Sequence, residues 1–189
     1  MINADDIIRR GAITEIVGRL SSGRTSLLLA CLRRCFTRGG VAALVDADGA
    51  FDPESAEAAK IDVRRVLWVR CGGRRDVAVR ATELLVRCPG FALIALDVGE
   101  TPPLLALDAA FRLKLAVRRA DTSLVILGRR PIAGAGASLV VETIPCGAEW
   151  TGAGTAPRRL AGSRTEVQVR RAQGAAPVET PVAWTWCAP

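Results

Sequence analysis

The sequence contains no histidine and no tyrosine, a single methionine, and only two lysines against 24 arginines. Without histidine there is no Ser-His-Asp or Cys-His catalytic arrangement. The six cysteines (Cys31, Cys35, Cys71, Cys88, Cys146, Cys187) form no CxxC pair. With histidine also missing, a zinc site is not expected, and buried free thiols are the simplest reading. No apolar run reaches the length of a membrane span, and the start MINADDIIRRG has no secretory apolar core. The expectation is a soluble, cytoplasmic protein with no membrane partner. Half of the 189 residues are hydrophobic, enough for one domain over 1–189 to bury a real core and too many for long disorder.

The net charge is +7, carried almost wholly by arginine. That balance fits an acidic partner, DNA included. The arginines come as separate pairs, such as Arg33-Arg34, Arg64-Arg65, Arg118-Arg119 and Arg170-Arg171, not as one basic block. Most are therefore read as solvated surface.

Short apolar runs alternate with helical patterns along the first two thirds of the chain. AITEIV (Ala12–Val17) reads as a buried strand ending at a glycine loop, and SLLLACLRRCF follows with Leu27, Leu28, Cys31, Leu32 and Cys35 at helical spacing. VAALV (Val41–Val45) is a second strand running into acidic residues, with Asp48 placed at its end. Asp52 then caps a helix that opens at Pro53. RVLWV, FALIALD (Phe91–Asp97) and SLVILG are further strands; DVAVRATELLVRC and PLLALDAAFRLKLAVRRA are helices between them. Such βαβ alternation over about 11–128 predicts a parallel sheet covered on both faces. From about 129 to 189 the pattern changes to strands joined by Gly/Pro turns (ASLVVETI, TEVQVRRA, VAWTWC), expected as antiparallel hairpins extending one sheet edge. Trp184 and Trp186 share one face of the last of these and are expected to cover the sheet. If exposed, they and Trp150 would be partner anchors.

GRLSSGRTS (Gly18–Ser26) has the layout GxxxxGK[ST] of a phosphate loop, with Arg24 in place of the lysine. It leaves a strand and enters a helix, as backbone capture of phosphate requires. Gly18, Ser21, Ser22, Gly23, Arg24, Thr25 and Ser26 are the nucleotide-binding candidates. Thr25 could ligate Mg²⁺, with Asp97 holding it through water. Asp48 could orient an attacking water. A planar guanidinium at position 24 should weaken binding of ATP modestly and hydrolysis strongly. The chain would then be at most a weak ATPase.

These residues resemble the RecA core, a P-loop NTPase fold. GAITEIVGRLSSGRTSLLL resembles its strand–loop–helix, LVDADGAFDPESA the segment carrying its catalytic glutamate (matched by Asp48), and FALIALD its Walker B strand. GSRTEVQVRRAQGAAP resembles the hairpin whose basic residues reach a neighbouring subunit's nucleotide. The resemblance implies that role for Arg171, whereas Gln173 stands at the second basic position. The segment from Asp97 to Gly128 is shorter than in RecA, and LGRRPIAGAGASL is too short for RecA's second DNA-binding loop. Gly128 or Arg129 replaces its γ-phosphate-sensing glutamine. The sequence begins about ten residues before the first strand, so the N-terminal helix and strand by which RecA docks on its neighbour are either missing or lie upstream of it.

A RecA-like core with altered catalytic positions and short DNA loops is similar to the ImuA family of mutasome accessory proteins. The stretch FRLKLAVRRADTSLVILGRRPIAGAGASLVVE looks like that family's corresponding region. That resemblance implies SOS-induced translesion mutagenesis and a nucleoid-associated location. It also implies three partners: an ImuB-like inactive Y-family polymerase relative, RecA itself, and indirectly an error-prone replicative-type polymerase. Three readings stand: a docking or regulatory subunit, an ATP-dependent switch with DNA-binding ability, and a strand-exchange recombinase, against which the short loops argue.

Overall fold

The computed structural model of the protein describes residues 4–152, 159–173 and 182–187. Eight strands form one sheet: β1 (Ala12–Gly18), β2 (Val41–Asp46), β3 (Val66–Arg70), β4 (Phe91–Asp97), β5 (Ser123–Gly128), β6 (Leu139–Thr151), β7 (Arg159–Ala172) and β8 (Val182–Cys187). Their spatial order is β3-β2-β4-β5-β1-β6-β7-β8. Among the described residues, five α-helices accompany them: α1 (Ala4–Ile7), α2 (Arg24–Thr37), α3 (Pro53–Ala58), α4 (Arg75–Arg87) and α5 (Leu107–Ala120).

The uninterrupted apolar runs become the central strands because both of their faces are buried. Period two sorts their side chains between two cores. On one face, Leu93 and Ala95 of β4 pack with Ile16, Leu44 and Leu127 against α2, whose Leu27, Leu28, Cys31, Leu32 and Cys35 form the predicted stripe. On the other, Ile94 and Leu96 pack with Ile13, Val45 and Ile126 against Ala78 and Val86 of α4 and Leu113 and Val117 of α5. Asp52 caps α3 as predicted, accepting from the amides of Glu54 and Ser55, with Pro53 in the first turn.

Three expectations need correction. β2 ends at Asp46, two residues before Asp48, because Asp46 turns the chain by accepting the amides of Gly49, Ala50 and Phe51. The helix placed from Pro103 begins only at Leu107. Ala106 is still extended, at φ −60° and ψ 146°, and the first helical turn opens after it. β6 pairs with β1 in parallel, and the antiparallel pattern starts one strand later, at β6–β7 and β7–β8. The side chains of Trp184 and Trp186 lie outside the described residues, whereas Trp150 is exposed. Among the described residues, no helix is long and apolar enough to cross a membrane.

Candidate functional site

The strand register decides which residues meet. Asp46 pairs with Asp97, Asp97 with Leu127, and Leu127 with Ile16, so the ends of β2, β4, β5 and β1 lie in one row across the sheet. Loops leaving the carboxyl ends of parallel strands form the usual ligand crevice of an open α/β sheet. Here they are the glycine loop after β1, the Asp48 turn after β2, the Gly99-Glu100 segment after β4 and Arg129 after β5.

The glycine loop has no room for side chains at its two glycines. A Cβ on Gly18 would stand 2.7 Å from the Thr143 carbonyl oxygen, and one on Gly23 2.9 Å from Thr165 Cγ2. Gly23 also sits at φ 95°, and Ser21 takes the left-handed conformation at φ 58°. The Ser22 hydroxyl is buried and bonds Thr143 Oγ1 at 2.6 Å, while Thr143 donates to the Val17 carbonyl. Ser22 thus fastens the loop to β6 through its hydroxyl while still lining the cleft beside it. α2 starts at Arg24 with no side-chain cap on its first turn, leaving the amides of Arg24, Thr25 and Ser26 as helix-start donors for an anion. Above them opens a cleft of about 680 Å³. Its far wall comes from β6 and β7 and includes Pro145, Trp150 and Leu160, opposite Leu20 of the loop itself.

Arg24 does not reach into the loop. Its guanidinium pairs with Glu100, its side chain is only 11% exposed, and its second terminal nitrogen is buried without a partner. Glu100 also meets Arg129 at 3.6 Å, so one carboxylate bridges the helix start and the end of β5. Asp97 lies beside this pair. Burial pushes its carboxyl above the ordinary aspartate range, against the Gly99 amide at 2.9 Å and the Arg24 charge, while Asp46 and Asp48 push it further up. Asp48 is held by both oxygens on Arg75 Nη2, at 2.7 and 2.9 Å. Asp46 serves the Trp68 indole N–H at 3.2 Å in addition to its three amides.

Arg171 is not at this cleft. It bonds the carbonyls of Gly134 and, at 3.4 Å, Ala137, in the loop between β5 and β6. Gln173 holds Ala135 O in the same loop at 2.9 Å, and the buried Glu15 accepts the amides of Ile132 and Ala133 at 2.6 and 2.9 Å. Burial pushes the Glu15 carboxyl up, partly opposed by those amides and by Arg171. The structure therefore brings Gly18, Gly23, Arg24, Thr25, Ser26, Asp97 and Asp48 to one sheet edge and leaves Arg171 elsewhere in its own chain.

Sequence reasoning missed Glu100, Arg75, Thr143, Thr165 and Glu15. Only Glu15 carried a signal, as the one charged residue inside AITEIV.

Among the described residues, no group of three or more His, Cys, Asp or Glu could hold a metal ion by itself. A Mg²⁺–nucleotide site asks less of the protein: one or two side chains, with phosphate oxygens and water completing the shell. Thr25, exposed at the uncapped helix start, and Asp97, at the end of β4, are the side chains that would have to supply it.

A model of the RecA N-terminal domain matches residues 6–103, just over half of the chain. Protein RecA of Borreliella afzelii is 38% identical over 100 residues, which are 52% of this chain and 27% of that protein. Protein RecA of Francisella philomiragia is 36% identical over 88 residues, covering 47% and 24%. The chain thus spans about a quarter of the length of these curated relatives. The crystal structure of the RadB recombinase superposes with a TM-score of 0.66 over 93% of this chain and 87% of that one, at 15% identity, a likeness of fold.

Proposed function

Because the chain belongs to the RecA N-terminal domain family, we propose that it is a RecA-like docking and regulatory subunit of DNA-damage tolerance, not a motor. The observation that carries this reading is the state of its two catalytic positions. Arg24 is spent on Glu100 and Asp48 on Arg75, so the groups expected to grip phosphate and direct water are instead tied into internal ion pairs. Its place is that of an ImuA-type accessory protein in SOS-induced translesion synthesis, contacting an ImuB-like inactive polymerase relative and RecA, and through them an error-prone polymerase.

ATP with Mg²⁺ binds weakly, as a ligand and not as fuel. The amides of Gly23 to Ser26 would receive the phosphates, Thr25 and Asp97 would hold the ion, and Trp150, Leu160 and Leu20 would offer the base an apolar wall. The ion would supply neutralisation of phosphate charge; the protein's own part would be to orient the chain of phosphates and to shield it from water under β6 and β7. The volume of this cleft, about 680 Å³, favours a second reading, an ATP-dependent switch in which occupancy alters partner binding.

Two experiments decide. Thermal unfolding with millimolar ATP and Mg²⁺ should rise in Tm, and Arg24→Ala should change that rise without abolishing the fold. Turnover of ATP at about 1 per second or faster, the ordinary enzyme range, would overturn the non-motor reading. Gel filtration with the ImuB-like protein and RecA of the same organism should give a stable complex; three separate peaks would overturn the docking role.

A further inference from the structure

The helices on the sheet face away from α2 carry an apolar surface that the reading above does not use. α5 buries Ala110, Leu113 and Val117 against the sheet. A solvent-side stripe would ordinarily be polar. Instead Leu107, Phe111 and Leu115, at i, i+4 and i+8, are 63%, 42% and 53% exposed, and Leu84 of α4 is 66% exposed. Exposed apolar side chains gathered in this way mark interaction sites in soluble proteins.

Between α4 and α5 lies a groove of about 440 Å³. Its floor is aliphatic, from Val86, Leu115 and Ala116, and its rim is three guanidiniums, Arg87, Arg112 and Arg119, with no carboxylate in the lining. Arg112 is answered by Asp108 at 2.6 Å and Glu83 at 3.7 Å. Arg87 and Arg119 make no ion pair among the described residues.

We propose that this groove docks an acidic amphipathic helix of a partner protein. The charge argument selects the occupant. A two-fold contact between copies would place the same patch against itself, and so set unanswered arginines of a +7 chain against one another. An acidic segment instead answers Arg87 and Arg119 while its apolar face covers the floor. Leu115 lines the groove itself, and the exposed stripe runs on from it to Leu107 over two helical turns, about 12 Å at 1.5 Å per residue. That suits a partner helix with anchors at i, i+3 or i+4, and i+7. Because α4 and α5 pack on the opposite side of the sheet from α2, the groove is separate from the glycine loop.

The test uses the full chain and a fluorescent synthetic helix with leucines at i, i+4 and i+7 flanked by glutamates. The same peptide with lysines for glutamates is the control. The acidic peptide should bind by anisotropy, more weakly at higher salt, and the lysine peptide should not. Leu115→Glu and, separately, Arg119→Glu should each weaken binding about tenfold or more, equivalent to about 1.4 kcal/mol. Both positions are exposed, so Tm should hold; if one variant unfolds, the other decides. Equal binding of the two peptides, no binding of the acidic one, or indifference to both variants would overturn the proposal. So would a dimer in sedimentation that Leu115→Glu dissociates, since the face would then belong to a second copy.

Discussion

The loops that leave β1 and β5 begin on neighbouring strands, and their backbones are treated in opposite ways. The loop after β1 presents helix-start amides that no side chain caps. The loop after β5 has its amides at Ile132 and Ala133 taken by Glu15, and its carbonyls at Gly134, Ala135 and Ala137 taken by Arg171 and Gln173. One loop is left able to receive an anion, and the other is stitched to the sheet. The same architecture can thus keep one site open while closing its neighbour, using a handful of polar side chains and no change in strand order.

The largest effect should come from breaking the first loop. Gly18→Val would drive a branched side chain into Ser22 and the Thr143 backbone. We expect a loss of about 3 kcal/mol in chemical denaturation. Gly134→Ala in the second loop meets nothing within 4 Å and should cost only the left-handed backbone strain, about 1 kcal/mol. If the two cost the same, packing does not distinguish the loops.

Next, Arg171→Ala removes the clamp on the second loop. Stability should fall by about 2 kcal/mol, since carbonyls and the Glu15 charge lose their partner. Amide exchange at Ile132 and Ala133 should quicken while the first turn of α2 is unchanged. Unaltered exchange there would mean that Glu15 alone holds the loop.

Glu100→Gln sharpens the contrast at the first loop. It frees Arg24 and Arg129 for an incoming anion, and affinity for ATP should rise about tenfold, or about 1.4 kcal/mol, by titration calorimetry. Weaker binding would show that Glu100 supports the site and does not compete for it.

The smallest effect is in pH. Burial places the native Glu15 pKa above its ordinary 4.5. A carboxyl shifted that way contributes stability that is complete below the unfolded value and is lost as pH rises through the native one. Glu15→Gln should therefore outlast the parent chain near neutral pH, and the gap in melting temperature should close on acidification toward 4.5. A gap independent of pH would assign the difference to packing.

Much of this was legible beforehand, for identifiable reasons. Buried parallel strands are written as unbroken apolar runs, so AITEIV and FALIALD declare themselves, as does the Asp52-Pro53 cap. Direction is not written in periodicity: LVVETI reads the same whether β6 runs with or against β1. Nor is strand length, because β6 continues as an exposed ribbon through Pro145, where its register with β7 shifts. The glycine loop was readable from spacing, but the partners of its side chains were not. Glu100 lies 76 residues from Arg24 and Thr143 lies 121 from Ser22. No local pattern marks residues that meet only once the sheet has formed.

The turn after β2 bears on any attempt to engineer this protein. Asp46 ties down Gly49, Ala50, Phe51 and the Trp68 indole at once, so the peptide bearing Asp48 is moored on both sides. Lengthening that acid by one carbon would not set it loose, because Arg75 would still hold its tip. Retrofitting an engine here calls for at least two coordinated edits, at positions 48 and 75, and either edit made singly should leave it idle.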